Sequence, residues 1–151
     1  MATTTKYPLP AFYFNVSWKD GETVPFSEVT GLNVEIEPIE YRFGDSKNFS
    51  TIKMPGLKKN GNITLKRGSL AGDNTLFDWW NTVNLNTIER KAVTISLLNE
   101  SHKPVITWKV INAFPIKIDS GSLNAKTNEV LIETLELAHE GITIEHPKAD
   151  A

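Results

Sequence analysis

Val105–Ile118 reads VITWKVINAFPIKI. Ile106, Trp108, Val110, Phe114, Ile116 and Ile118 share one parity, with Lys109 and Lys117 on the other. Period two marks a strand with one buried face. Its length is as informative as its pattern. At about 3.3 Å per residue the segment would extend about 46 Å. A compact domain of 151 residues has a radius of gyration of about 15 Å, hence a diameter of roughly 40 Å. Such a strand must bend sharply or project beyond the subunit. Projection exposes unpaired N–H and C=O groups, a hazard that closure into a ring removes. The segment therefore predicts a mainly β chain whose sheets are completed by pairing between copies.

The flanking sequence extends this reading. Ala92–Leu98 sets Val93, Ile95 and Leu97 inward. Upstream, Leu9–Trp18 alternates with Phe12, Phe14 and Val16 on one side, and Lys19–Glu22 is turn chemistry. Phe26–Phe43 is a long extended stretch whose apolar parity switches across Pro38, as a bulge or bend would cause. Gly44–Pro55 is an exposed loop or hairpin tip with a short return. Gly61–Arg67 points Ile63 and Leu65 inward. The period then changes: Leu76, Phe77, Trp80 and Val83 fall on one face of a helix over Asp73–Asn84, capped from Gly72-Asp73-Asn74. Trp80 is assigned to the core and Trp79 to its margin or an interface. Asp119–Asn128 is a polar turn region. Val130–Glu145 is open between helix, by capping and propensity, and strand, by β-branching. The whole reads as one domain, 1–151, with frayed ends at 1–6 and 146–151.

Composition excludes several classes. There are no cysteines, hence no disulfide framework, thiolate nucleophile or Cys-ligated metal. Sixteen Lys and Arg against 18 Asp and Glu leave no basic excess for dedicated nucleic-acid recognition. The opening MATTTKYPLP has no apolar core, and no run approaches a membrane span, so the chain is expected to be made in the cytoplasm.

Candidate chemistry is sparse. Glu136-x-x-His139 has ligand-pair spacing, but a di-metal site needs a second such pair; a solvated His is the reading adopted. Ser120-Gly121-Ser122 lacks the nucleophile-elbow pattern. Gly56–Gly61 has phosphate-loop glycine spacing, but Asn62 stands where Lys is required. No catalytic residue, metal ligand or cofactor is expected. Two charge blocks remain. Lys53, Lys58, Lys59, Lys66 and Arg67 form a basic run, and Glu129, Glu133, Glu136, Glu140 and Glu145 an acidic one. Lys58, Lys59, Lys66 and Arg67 against Glu129, Glu133, Glu136 and Glu140 are candidate contacts between identical copies, or within one.

The wording of the chain resembles phage tail tube proteins. YPLPAFYFNV, FSEVTGL leading into IEYR, MPGLKKNGNITLKRG, LFDWWN, RKAVTISLLNE, PVITWKVINAFPIKI and LNAKTNEVLIETLELAHEGI occur in order from about Tyr7 to Ile144. They look closest to inner-tube proteins of extracellular contractile injection systems. The resemblance implies a β-barrel or sandwich with one flanking helix, and strand rather than helix in NEVLIETLELAHEGITIEH. It implies six copies in a ring and rings stacked into a tube inside a contractile sheath. The implied partners are further copies of the chain, sheath, baseplate or spike, a tube terminator or cap, and a luminal cargo of protein effector or phage DNA. The particle would be extracellular or a virion tail after release. Gly44–Gly56 corresponds to a ring-stacking loop, with Gly44, Asp45, Ser46, Lys47, Asn48, Phe49 and Lys53 its candidate contacts. Strands around Glu35–Phe43 and Ala113–Ile132 are the candidate lumen sheet.

A monomeric carbohydrate-binding sandwich using Trp18, Trp79 or Trp108 is the competing function. It requires exposed rings on one face, whereas Trp108 falls in an apolar parity set.

Overall fold

A computed structural model describes residues 8–19, 22–45, 47, 51–82 and 87–147. The chain forms β1 (Phe14–Lys19), β2 (Glu22–Val24), β3 (Glu28–Thr30), β4 (Glu35–Tyr41), β5 (Ile52–Lys59) and β6 (Ile63–Gly68). Then follow α1 (Thr75–Trp80), β7 (Lys91–Leu98), β8 (Pro104–Asp119), β9 (Ile132–Ala138) and β10 (Gly141–Glu145). All strand pairs are antiparallel. The main sheet runs β2-β1-β7-β8-β9-β6-β3, with β10 also on β8, and β4-β5 forms a separate pair.

Strand β8, which contains Val105–Ile118, is the shared wall of a sandwich. The first part of β8 pairs with β7 and β10, and its last part pairs with β9. Two irregularities bend it. Lys91 pairs with Ala113 and Val93 with Val110, so β8 spends one extra residue there, and Asn112 takes φ 51°. Asn and Asp tolerate this left-handed region better than other side chains. A second shift falls between Pro115 and Lys117, against Leu137 and Glu136. Each extra residue exchanges the faces. Val110 is buried before the first bend, Ala113 and Pro115 are buried after it, and Ile116, expected inward from strict alternation, is exposed. The strand is contained by bending.

Val16 and Trp18 of β1, Val93 and Ile95 of β7, Val110 and Ala113 of β8, Ile63 and Leu65 of β6, and Leu135 and Leu137 of β9 fill the space between the layers. The inward sets of β6 and β7 are those that alternation predicts, as are Phe14 and Val16 of β1, whereas Phe12 precedes the strand and is exposed. Residues 132–145 are two strands, because Leu135 and Leu137 of β9 fit this core, and β10 continues along β8 after a break at His139 and Glu140. The expected extended run at 26–43 is interrupted: Gly31 turns at φ 90°, and a Cβ there would lie 2.1 Å from the Asn62 carbonyl oxygen. The parity switch at Pro38 coincides with a register shift between Ile36 and Pro38, where Gly56 and Leu57 of β5 oppose the single Glu37 of β4.

The helix is one and a half turns rather than the dozen residues expected, and it is rotated. Leu76 and Trp79 face the core; Phe77 is 50% exposed and Trp80 half-buried, which reverses the assignment of the two tryptophans. Val83 and Asn84 lie outside the described residues. The cause lies in the surroundings of Trp79. Its Nε1–H donates to the Glu89 carbonyl at 2.9 Å, its ring lies 5.0 Å from that of Trp18, and Lys91 Nζ sits 5.3 Å from its face. A buried indole needs a partner for its N–H, and this site supplies one. The expected frayed ends fall largely outside the described residues; His146 and Pro147 are exposed beyond β10.

Trp79→Ala is expected to destabilise the subunit by about 3–5 kcal/mol, lowering the melting temperature by roughly 10 °C. Trp80→Ala should cost less than half as much. Thermal denaturation followed by circular dichroism measures both, and a larger loss from Trp80→Ala than from Trp79→Ala would contradict this packing.

Candidate functional site, an assembly surface

The sandwich carries an arm. β4 is exposed at every position, and β5 at every position except Gly56. Cross-strand pairs include Ile39 with Met54 and Tyr41 with Ile52. Ile36, Ile39, Tyr41, Phe43, Ile52, Met54 and Leu57 are all exposed, Leu57 at 84%. Tyr41 and Phe43 stack edge to face near its outer end. Gly56 permits the close crossing at the bulge, since a Cβ there would meet the Glu37 carbonyl oxygen at 2.2 Å. Of the expected stacking residues, Gly44, Asp45 and Lys47 are exposed at the tip, whereas Ser46, Asn48 and Phe49 lie outside the described residues. Lys53 belongs to β5, paired across from Glu40, rather than to the loop.

At the arm's base a groove of about 800 Å³ runs between Val34, Ile36, Lys58 and Lys59 on one side and Ile111, Glu140 and Ile142 on the other. β10 borders it and pairs with β8 alone among the described strands. One side of its backbone is therefore open to a further strand.

The two charge blocks are distributed differently from one another. Arg67, with 3% side-chain exposure, pairs through Nε with Glu133 and through a terminal nitrogen with Asp73 at 3.1 Å. Burial on the inward face of β6 demands such partners, and sequence alone offered no sign that Asp73 was one of them. Asp73 also accepts from the Thr75 N–H and hydroxyl, so it caps α1 in place of Asn74. These hydrogen bonds, and then the nearby Arg67 charge, hold its carboxyl below the usual carboxylate range despite burial. Lys66 lies 3.9 Å from Glu28, Lys59 pairs with Glu37, and Glu140 with Arg90. Glu140 also accepts from Asn112 Nδ2 at the β8 bend. Glu136 accepts from Asn62. Lys58 and Glu129 have no ion-pair partner among the described residues.

His139 is half-buried rather than solvated: its Nε2 lies 2.8 Å from the Gly61 carbonyl oxygen, where it donates. With β9 a strand, Glu136 and His139 do not share a helical face. No group of three or more potential metal ligands occurs among the described residues. Trp18 and Trp79 are buried and Trp108 is half-buried, so none offers an open sugar platform. No helix among them is long and apolar enough to cross a membrane.

A β-sandwich with an uncovered arm and an open edge is built for assembly, and the class it defines is the structural subunit. The chain matches the model of the T4-like virus tail tube protein gp19 family over residues 10–143 and belongs to that family. It is similar to a chain in the cap of the anti-feeding prophage, which terminates that tube, at 36% identity over 97% of both chains and a TM-score of 0.89. It is also similar to a chain in the sheath–tube complex of the PVC extracellular contractile injection system in its extended state. There the identity is 37%, coverage 97% of this chain and 100% of that one, and the TM-score 0.88. A chain of the PVC sheath/tube terminator is 38% identical, with 94% and 99% covered and a TM-score of 0.87. No curated protein matches. The chain is a structural tube subunit and not an enzyme.

Asp73 is charged in the fold at pH values where the unfolded chain already takes up its proton. It therefore contributes stability above the unfolded carboxylate pKa, and that stability is lost as pH falls through the lower folded value. Asp73→Asn is expected to destabilise at neutral pH and to converge with the parent in strong acid. Urea denaturation across pH measures this, and a constant gap down to the most acid point would contradict it. Arg67→Ala should cost roughly 3 kcal/mol, because two carboxylates lose their shared partner.

Proposed function

We propose that this chain builds the inner tube of a contractile injection system or phage-tail-like particle, as six-membered rings stacked end to end. The observation that carries the proposal is the arm. A lone two-stranded hairpin is marginally stable in water, and in this one the cross-strand pairs Ile39–Met54 and Tyr41–Ile52 form an uncovered apolar face. It needs cover from beyond the subunit. Identical copies supply that cover head to tail, and a heterologous contact of this kind closes into rings or propagates as a filament. Along the ring, the open edge of β10 and the groove beside it receive a neighbouring copy, so that edge pairing leaves no free backbone. Between rings, the segment from Gly44 to Phe49 supplies the stacking contact, with Gly44, Asp45 and Lys47 exposed. Lys58, Lys66 and Glu129 are the charges best placed for contacts between copies, since Arg67 and Glu133 are engaged with each other.

The lumen is assigned to β4 and the last part of β8. Residues 120–131 carry no regular strand, which narrows the earlier lumen range. Glu40, on the opposite parity of β4 from Ile39 and Tyr41, and the exposed Lys117 of β8 give the bore a polar lining from which cargo slides without sticking. The similar chains sit in complexes with sheath, tube terminator, cap and baseplate, and this chain is proposed to meet the corresponding partners. It would be made in the bacterial cytoplasm and act in an extracellular particle or virion tail. Protein effectors or phage DNA are the cargoes such a bore admits. The tube performs no catalysis; it transmits the force of sheath contraction and conducts cargo.

Electron microscopy of the purified chain is expected to show rings or tubes, and monomers persisting at high concentration would overturn the proposal. Replacing residues 44–50 by a short Gly/Ser connection should leave rings but shorten or abolish tubes. Tubes of normal length from that variant would show that the stacking contact lies elsewhere. Val34→Asp combined with Ile111→Asp, both exposed and lining the groove, should prevent rings while leaving the far-ultraviolet circular dichroism unchanged.

A further inference from the structure

We propose that Asn60 is a site of spontaneous covalent modification, losing ammonia to become aspartate or iso-aspartate. Asn-Gly occurs once in the sequence, at Asn60-Gly61. Glycine offers no Cβ to block approach of the preceding side chain to its nitrogen. The dipeptide lies between the end of β5 at Lys59 and the start of β6 at Ile63, outside the strands whose extended backbone would keep the reacting atoms apart.

Asn60 is also uncommitted where five other asparagines are held. Asn99 accepts from the N–H groups of Ser101 and Lys103, Asn124 from that of Lys126, and Asn62, Asn74 and Asn112 donate to carboxylates. Among the described residues neither the Asn60 carboxamide nor the Gly61 N–H is in a hydrogen bond. Asn60 is exposed and lines the open groove, where water is available.

The Gly61 nitrogen attacks Cγ of Asn60, forming the N–Cγ bond of a succinimide. The Cγ–Nδ2 bond breaks, and ammonia leaves with the proton that Gly61 N–H loses. Water then adds to one of the two ring carbonyls. Opening gives aspartate, or iso-aspartate with one extra main-chain methylene. Either product places a new carboxylate in the groove that Lys58, Lys59, Glu35 and Glu140 also line. Iso-aspartate in addition displaces Gly61, whose carbonyl is pinned by His139. Modification requires only the free subunit, and so stands apart from the ring assignment.

The test is to incubate the full-length chain in mildly alkaline buffer, then map peptides by mass spectrometry with fragmentation that separates Asn60 from Asn62. Expected are conversion of amide to acid concentrated at Asn60, iso-aspartate as the larger product, and labelling by an iso-aspartyl methyltransferase. Gly61→Ala should slow the reaction by about tenfold, the effect of about 1.4 kcal/mol on a barrier. Asn60→Gln should leave the peptide unmodified. Conversion at Asn60 no faster than at Asn124 or Asn128 in the parent chain would overturn the proposal, whatever the variants do.

Discussion

Everything in this subunit depends on β8 satisfying the backbone of two sheets at once. A straight strand of its length would leave one end unpaired; the bends at Asn112 and Ile116 instead redirect it from β7 and β10 to β9. The left-handed Asn112 is held by Glu140, which also takes Arg90, and Arg90 in turn lies over the Phe114 ring at 4.8 Å. The curvature of the sandwich is thus fixed by a small polar cluster at the one point where β9 gives way to β10. The core then needs only period-two alternation on each strand to close.

The arm shows the opposite economy. Inside the sandwich, apolar side chains are covered by the chain's own elements; along β4 and β5 they are not. A monomeric protein rarely leaves so contiguous an apolar surface open, and the gp19 tail tube family to which the chain belongs is one of assembled subunits. The buried Arg67 cluster serves a different end. It fastens α1 to β6 and β9 within one copy, so the subunit's own shape does not wait on assembly.

Much of this was legible in the residues. Strands β1, β6 and β7 follow from alternation because each has one face on the core and one on solvent. Strand β8 defeated strict parity where bulges exchange its faces, and no residue type in INAFPI announces which peptide will shift. The helix was found but misrotated: Leu76, Phe77, Trp80 and Val83 make a plausible stripe, yet one short helix is oriented by what its largest side chain can reach. Trp79 reaches Trp18 and the Glu89 carbonyl, contacts made through distant sequence. The ambiguity at 130–145 had the same origin, since propensity is local and β9 is stabilised by β6 and β8. Charge blocks gave composition without geometry. Arg67 sits among lysines in sequence but on the inward side of its strand.

The arm also has a consequence at the level of copy number. A surface substitution commonly shifts stability by about 0.5 kcal/mol or less, an effect easily tolerated in a solitary protein. In the proposed ring of six, the same contact recurs at each subunit, so its cost accumulates to about 3 kcal/mol per ring. It then repeats with every ring added along the tube. Positions such as Ile39, Tyr41 and Met54 are therefore under a constraint that no single subunit would reveal. Small variations there are amplified by repetition, and the tube's length becomes a sensitive gauge of its sequence.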